Sequence, residues 1–290
     1  MCRLYALLAN EPTKVECSLV SAQNALMKQS SNDCKGRQHA DGWGVVCYDD
    51  PDRCRIPTTV RHSNAAFCSD KFSRCAEGVY SKAVVAHVRI ATVGFASTLN
   101  AHPFTHDEWT FAHNGTIPSF ETLSANMEAS TGDRYLNCRL GTTDSELFFL
   151  WLLYQMEASG ITCENIEDKQ REARKVLVDA VATLANDCRD VAPEQEARLN
   201  FVLTNGRMLF ACRWNNTMYR AVRDGVYDCE VCGVPHIRHS PSVAHRAVIV
   251  ASDPIAGEPW SEMPNHSLMY VSPSLSCVVD EIPHNSKAIV

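Results

Sequence analysis

The order of strand-like and helix-like segments restricts the fold of this chain more than any other feature. Residues 3–9 and 84–90 are short apolar runs of strand length. Two helical zones follow, one beginning at Thr143 and one covering residues 166–188. Strand-like runs then return toward the C-terminus, and neither an internal repeat nor a long linker interrupts the pattern. This order predicts one α+β domain over residues 1–290, in which two sheets are enclosed by helices.

Local signals predict several element boundaries. Thr143 should begin a helix, because the motif TDSE fits a capping box ahead of an apolar run. Apolar residues recur at spacings of three and four in residues 166–188, which predicts an amphipathic helix, and similar spacing predicts a helix over residues 19–29. Asn-Gly at 205–206 predicts a hairpin turn within a meander of three strands. Residues 49–80 are polar and irregular, contain three cysteines, and are interpreted as an insertion.

The composition excludes several functional classes. The 290-residue chain has a net charge of −7, which provides no footprint for nucleic acid or an anionic membrane. Its apolar runs are far shorter than a membrane span, and the N-terminus lacks the pattern of a signal peptide. The 14 cysteines are scattered at irregular spacings, unlike a disulfide framework. These features predict a cytoplasmic protein that acts on small molecules.

Cys2 directly follows the initiator methionine. If Met1 is removed, Cys2 carries a free α-amine and a thiol on the same residue. A terminal amine titrates at about pH 7.7–8.0, so it can take the thiol proton and later return it to a leaving amine. One residue would then supply both nucleophile and base. The alternative is that the position is incidental, since any residue can follow methionine.

The segment HVRIAT places His87 and Arg89 on one face of a predicted central strand. A guanidinium among apolar neighbours needs an anion close by. Either an internal carboxylate or the carboxylate of a substrate would satisfy it, and a substrate carboxylate could bind as a bidentate fork.

Two further segments carry polar groups with more than one interpretation. Asn114 and Gly115 form an Asn-Gly pair, which favours a hairpin turn. A strained turn of that kind could also aim the Asn114 amide and the Gly115 N–H at one point, as a tetrahedral oxyanion requires. Asp144 lies in the first turn of a predicted helix, where it can stabilise the helix dipole or hold an ammonium group.

Together, five segments resemble a known family in content and order. They are Cys2, HADGWG at 39–44, HVRIAT with NAHPF at 87–104, HNG at 113–115 and GTTDSE at 141–146. The combination resembles the class II glutamine amidotransferases, a family of N-terminal-nucleophile hydrolases, and is most similar to the stand-alone YafJ-like and γ-glutamyl amidohydrolase members. The resemblance covers nearly the whole chain. It implies an αββα sandwich of two antiparallel sheets between helical layers.

The resemblance also implies a role for each matching residue. Cys2 would be the nucleophile, and Asn114 and Gly115 would form the oxyanion hole. Arg89 would bind the α-carboxylate of a glutamyl group, and Asp144 its α-ammonium. The positions that would line or support the substrate pocket are His87, His102 and Trp43.

The implied reaction is cleavage of the γ-glutamyl amide of glutamine or of another γ-glutamyl compound, through a γ-glutamyl thioester. A separate subunit that accepts ammonia or acts as a peptidase is an expected kind of partner, whereas nucleic acid, membrane and cofactor are not expected. The alternative is an inactive or regulatory subunit of a larger complex that keeps the fold without turnover.

The segment CEVCGVPHIRH contains Cys229, Cys232, His236 and His239 at spacings that resemble those of metal ligands. Four ligands from eleven residues are geometrically demanding, and the spacing is too compact for a standard zinc finger. Two hypotheses are therefore open. One is a zinc site in which the cysteine pair and one histidine are completed by a cysteine of the insertion. The other is a polar hairpin with incidental thiols and no metal.

Overall fold

The computed structural model describes residues 2–32, 36–49, 55–237 and 244–284. In chain order its strands are β1 (Arg3–Lys14), β2 (Trp43–Tyr48), β3 (Thr58–His62), β4 (Tyr80–Val88), β5 (Phe104–His106), β6 (Trp109–Thr116), β7 (Arg198–Thr204), β8 (Leu209–Arg213), β9 (Tyr219–Asp224), β10 (Arg246–Ala251), β11 (Ser261–Glu262), β12 (Ser267–Val271) and β13 (Cys277–Glu281).

These strands form two sheets. The larger sheet has seven strands in the order β11-β9-β10-β1-β4-β2-β3, and the smaller has six in the order β13-β12-β8-β7-β6-β5. Every paired neighbour in both sheets runs antiparallel. β1 therefore lies in the middle of the larger sheet, between β10 and β4.

The helical elements lie between the strands. The α-helices are α1 (Leu26–Ser31), α2 (Asp70–Gly78), α3 (Phe120–Ala129), α4 (Asp133–Leu136), α5 (Asp144–Ala158) and α6 (Gln170–Val191). Two shorter elements are a π-helical turn at Cys17–Ser21 and a 3₁₀ turn at Ala66–Cys68. None of the helices formed by the described residues is both long enough and apolar enough to cross a membrane.

Three apolar clusters separate four layers of structure. Between the sheets, Leu4 of β1 belongs to the same cluster as Val202 of β7. A second cluster joins the outer face of the smaller sheet to α5 and α6, and it includes Phe111 of β6 and Leu177 of α6. A third joins the outer face of the larger sheet to α1 and α2 through residues such as Phe72. The layers therefore follow the order αββα, as predicted, and each sheet buries both faces.

Alternation along β1 determines which side of the sheet its first residues face. Leu4 and Ala6 belong to the cluster between the sheets. Cys2 precedes them with the same parity, so its side chain lies on the inner side. Arg3 pairs with Val88, the last residue of β4. Cys2 therefore lies next to the segment that leaves β4.

Several local predictions are confirmed. The Thr143 hydroxyl accepts a hydrogen bond from the Glu146 N–H at 3.2 Å and so caps α5. The Glu146 carboxylate accepts from the N–H groups of Leu140 and Gly141 instead of returning to the cap. The amphipathic pattern becomes α6, which begins four residues later and ends three residues later than predicted. The turn at 205–206 connects β7 to β8, with Gly206 at φ +82°.

Other predictions are wrong. The segment 19–29 is not one helix, because extended backbone at Ala22 and Ala25 separates the π-helical turn from α1. The meander breaks after β8, since β9 joins the larger sheet. The described part of residues 49–80 is not irregular: it supplies the edge strand β3 and helix α2. Phe72 and Ala76 of α2 are completely buried and cover the outer face of the larger sheet.

Candidate active site

A small cavity lies where β1 begins and β4 ends. Its walls include Cys2, Arg89 and Asp144, which come from three separate elements. The other lining residues are Ile90, Thr92, Val93, His102, His113, Gly115, Thr143 and Ser145. The cavity has a volume of about 10 Å³, which is room for about one water molecule. Five predicted site residues, Cys2, Arg89, His102, Gly115 and Asp144, thus line one cavity, which is smaller than a glutamyl group.

The Cys2 thiol is buried against the backbone of Ile90. Its Sγ lies 3.4 Å from both the N–H and the carbonyl oxygen of that residue. Burial raises the pKa of the Cys2 thiol, and the hydrogen bond from Ile90 and the charge of Arg89 offset this only in part. The thiol is therefore protonated at neutral pH, and its use as a nucleophile requires a base.

The Arg89 guanidinium is buried without an acidic partner in the described part of the chain. Its terminal nitrogens donate to four main-chain carbonyls, those of Asp41, Val93, Gly94 and Phe95, at distances from 2.6 to 3.5 Å. Neutral carbonyls satisfy the N–H groups but leave the positive charge without a counter-ion. The arrangement therefore favours an anion in the adjoining cavity over an internal ion pair.

Asp144 is the first residue of α5, and its carboxylate is buried. Oδ2 accepts from the Ile117 N–H at 3.1 Å, and Oδ1 accepts from the Ser145 N–H at 2.8 Å. The Ser145 hydroxyl also donates to Oδ1 at 3.2 Å. An ionised carboxylate has about four lone-pair sites, so these donors leave capacity toward the cavity. Its position at the N-terminus of α5 and its remaining lone pairs are compatible with both predicted roles of Asp144. These roles are to stabilise the helix dipole and to hold an ammonium group.

Asn114 and Gly115 lie inside β6, where they pair with Asn200 and Leu199 of β7. The predicted turn at this Asn-Gly pair is therefore wrong. Glycine is required here because a Cβ at position 115 would overlap the carbonyl oxygen of Arg198 on the neighbouring strand. A strand interior that approaches another backbone this closely needs glycine as much as a turn does, so the dipeptide alone could not separate the two.

The Asn114 amide belongs to a hydrogen-bond network that reaches β1. Its Nδ2 donates to the Ser252 hydroxyl at 3.0 Å, and that hydroxyl also accepts from the Leu4 N–H at 3.0 Å. Nδ2 retains a second hydrogen, and the buried Oδ1 has no partner among the described residues. Gly115 lines the cavity directly. Sequence reasoning missed Ser252, which directly follows β10, as part of this network.

The two predicted pocket histidines, His87 and His102, stack beside the cavity. The ring centroids of His87 and His102 lie 4.3 Å apart, and His87 Nε2 donates to the carbonyl oxygen of His113 at 3.2 Å. Both ring nitrogens of His102 are without a partner in the described structure. Burial lowers the pKa of His87 to about 3 and holds that of His102 well below its usual range. Both rings are therefore neutral at physiological pH; His102 lines the cavity and His87 supports it.

His113 is a cavity residue that sequence reasoning missed. Its Nε2 donates to the Arg198 carbonyl oxygen at 3.0 Å, and its Nδ1 lies 2.8 Å from the Ser145 hydroxyl oxygen. This links β6 and β7 to the N-terminus of α5. The available signal was its place directly before Asn114 in the HNG motif.

Trp43 does not line the cavity, which corrects the prediction that it is one of the residues lining or supporting the substrate pocket. Its indole is completely buried and packs edge-on against Phe72 of α2 at 5.1 Å. Nε1 donates to the Asn64 side chain at 3.2 Å. Trp43 belongs to the apolar cluster on the outer face of the larger sheet, whereas Cys2 lies on the inner side. The two side chains lie on opposite faces of the larger sheet, because successive residues of a strand point to alternate faces.

The predicted metal ligands divide into two groups. Cys229, Cys232 and His236 come together, and Cys17 joins them in place of a cysteine from residues 49–80. His239 lies outside the described residues.

Comparisons with known proteins agree with the fold. The family model described as "Glutamine amidotransferases class-II" matches residues 1–287. The chain is 25% identical to the yeast protein named "Probable glutamine amidotransferase DUG3" (Saccharomyces cerevisiae), over 97% of this chain and 85% of that protein. It is also 25% identical to the γ-glutamyl-hercynylcysteine sulfoxide hydrolase of Mycolicibacterium smegmatis, over 93% of this chain and 96% of that one.

A solved structure shows the same architecture. The glutamine aminotransferase class-II domain protein from Silicibacter pomeroyi aligns with a TM-score of 0.61 at 21% identity, covering 98% of this chain and all of that one. The family match extends over nearly the full length, so this chain belongs to the class II glutamine amidotransferase family and is an enzyme of that family.

Proposed function

We propose that this enzyme cleaves γ-glutamyl amides in the small cavity, with Cys2 as nucleophile after removal of Met1. The observation that carries the proposal is the convergence of a thiol, a guanidinium and a carboxylate, from Cys2, Arg89 and Asp144, on one cavity. A γ-glutamyl group carries one carboxylate and one ammonium, which match Arg89 and Asp144 in sign. The names of the relatives, a probable glutamine amidotransferase and a γ-glutamyl-hercynylcysteine sulfoxide hydrolase, support the same substrate class.

The first half of the reaction forms a thioester. The Cys2 α-amine takes the thiol proton, and Sγ attacks the γ-carbonyl carbon of the substrate. The Gly115 N–H and the second hydrogen of Asn114 Nδ2 donate to the oxyanion that develops. The C–N bond then breaks, and the α-ammonium of Cys2 returns the proton to the leaving amine. A γ-glutamyl thioester remains on Cys2.

The second half releases the acid. Water attacks the thioester carbonyl while the α-amine of Cys2 again accepts a proton. The C–S bond breaks, glutamate leaves, and the thiol is regenerated. No group in either half needs an oxidant or a second substrate other than water.

Substrate binding requires a change at the segment that follows Arg89. The carbonyls of Val93, Gly94 and Phe95 occupy the guanidinium N–H groups that a substrate carboxylate would use. These residues form a surface segment, and the Phe95 side chain is 70% exposed. We therefore expect the segment to withdraw as the α-carboxylate replaces these carbonyls, which also enlarges the cavity.

Membership of an enzyme family argues against the alternative of an inactive or regulatory subunit. The existence of a separate subunit that receives ammonia or acts as a peptidase remains a prediction. Arg89 and Asp144 would contact only the glutamyl end, so the leaving amine must be identified by assay with several γ-glutamyl amides.

Cys2→Ala tests the proposal. The variant should lose turnover of glutamine and of every γ-glutamyl amide while keeping its melting temperature, because only the thiol is removed. Cys138→Ala is the matched control, since that thiol is exposed and does not line the cavity. Peptide mass spectrometry after treatment with a glutamine-like diazoketone should find Met1 absent and the adduct on Cys2. Retained Met1, or full activity in Cys2→Ala, would refute the mechanism.

A further inference from the structure

Four metal-ligating side chains meet at the end of β1 opposite to Cys2. The sulfur atoms of Cys17, Cys229 and Cys232 and a ring nitrogen of His236 all lie within 4.8 Å of one another. The Cys232 Sγ is 3.4 Å from His236 Nε2. Around a tetrahedral zinc ion, with Zn–S of about 2.3 Å and Zn–N of about 2.0 Å, neighbouring ligand atoms lie about 3.5–3.8 Å apart. The observed spacing therefore fits one ion.

Backbone bonds bring the two ligand-bearing segments together. The Lys14 N–H donates to the His236 carbonyl oxygen at 2.7 Å, and Thr13 forms an isolated β-bridge with Ile237. Two residues, Val15 and Glu16, separate Cys17 from Lys14 at the end of β1, and Cys17 is the buried first residue of the π-helical turn. The end of β1 thus presents one thiol beside the histidine without any contribution from a metal.

Cys229 and Cys232 lie in a tight turn that presents both sulfurs to the same side. The Gly233 N–H donates to the Cys229 carbonyl at 2.7 Å, and the Cys229 N–H donates to the Val234 carbonyl at 3.1 Å. Gly233 has φ +72°, which glycine adopts without strain. The Val231 N–H donates to Cys229 Sγ at 3.4 Å, a contact that stabilises a thiolate ligand.

We propose that Cys17, Cys229, Cys232 and His236 form a structural zinc site that ties the start of the chain to the connection between β9 and β10. Thiolate and imidazole ligands suit zinc and not magnesium or calcium. Four protein ligands close the coordination shell, so the ion has a structural role and no open position for chemistry. The fourth ligand comes from the end of β1, not from residues 49–80 as one sequence hypothesis held.

The zinc site is independent of the proposed amidase mechanism. Cys2 and Cys17 flank the 12 residues of β1, which extend roughly 40 Å at about 3.3 Å per residue. A cavity of about 450 Å³ borders Cys17, Cys229 and His236, and it provides a path for the ion to reach the ligands. The three thiols are free of disulfides. A Cys229–Cys232 disulfide is the competing outcome for the same atoms.

The test uses the full-length protein, purified under reducing conditions without chelators, with zinc measured by plasma mass spectrometry. We expect about one zinc per chain, and cobalt substitution should produce the visible bands of a tetrahedral thiolate site. Cys232→Ser and Cys17→Ser should each weaken zinc binding by about 100-fold or more. Cys68→Ser should retain the zinc, since that thiol is exposed and outside the cluster.

Two results would overturn the proposal. One is a wild-type protein that binds no zinc, including one in which peptide mapping finds a Cys229–Cys232 disulfide. The other is unchanged zinc affinity in Cys232→Ser. If Cys17→Ser does not fold, Cys232→Ser still decides the question, because the Cys232 side chain is exposed and its loss removes no core packing.

Discussion

Replacing Arg89 by lysine separates two roles that this side chain could have. Its guanidinium donates to four main-chain carbonyls and also borders the cavity that contains Cys2 and Asp144. Lysine keeps the positive charge, but its three N–H groups radiate from one nitrogen. It therefore cannot offer a carboxylate the parallel pair of donors that arginine offers.

The expected loss follows from one missing arm of a bidentate contact. A hydrogen bond to a charged group contributes about 1.5–3 kcal/mol. At about 1.4 kcal/mol for each factor of ten, Arg89→Lys should lower kcat/KM for glutamine by about 10- to 150-fold. The carboxylate is bound equally in the ground state and the transition state, so most of the loss should be a higher KM.

Three amides identify the group that Arg89 recognises. Ammonia release should be measured with glutamine, with 4-aminobutanamide, which lacks the α-carboxylate, and with glutaramate, which lacks the α-ammonium. Arg89→Lys should affect glutamine and glutaramate alike and 4-aminobutanamide much less. An equal loss for all three would refute the carboxylate role. It would indicate that Arg89 acts only by holding the segment from Val93 to Phe95, and the melting temperature should then fall as well.

Two further predictions concern stability. Gly115→Ala should destabilise the protein by about 3 kcal/mol or more, because the new Cβ overlaps the Arg198 carbonyl and the backbone must shift. Gly78→Ala, where a Cβ meets nothing within 4 Å, is the control in urea unfolding, and equal effects would contradict the argument. Burial lowers the pKa of His87 to about 3, so stability is fully present above pH 6.5 and falls as the unfolded chain binds a proton that the native chain excludes. From pH 7.5 to 5.0 the free energy of unfolding should drop by about 2 kcal/mol less in His87→Gln than in wild type, and identical drops would rule out this linkage.

Features encoded by neighbouring residues were predictable from the sequence. The cap at Thr143 and the apolar spacing of α6 depend on residues three and four apart, so both are visible before folding. The parity of His87 on β4 follows from strand alternation in the same way. The fold class followed from the order of elements, with the four layers themselves implied by the family resemblance.

Ambiguous local signals were resolved only by contacts with distant segments. The Asn-Gly pair at 114–115 reads as a turn, but it lies in a strand because Arg198 on β7 approaches the backbone at Gly115. Trp43 belongs to a motif that also contains polar residues, yet parity and helix α2 place its indole in the outer core. Arg198 is distant in sequence from Gly115, and helix α2 is distant in sequence from Trp43.

The sequence by itself determined the residue types needed for γ-glutamyl chemistry and the helix and strand periods that carry them. Tertiary structure alone decided which residues meet: Cys2 with Asp144 across more than 140 positions, and Cys17 with Cys229 and Cys232 across more than 200. The physical reason is that hydrogen bonds and apolar spacing act over a few residues, whereas strand order and register set long-range neighbours through packing of the whole sheet. The same reason explains why the four carbonyls around Arg89 could be found only in the folded chain.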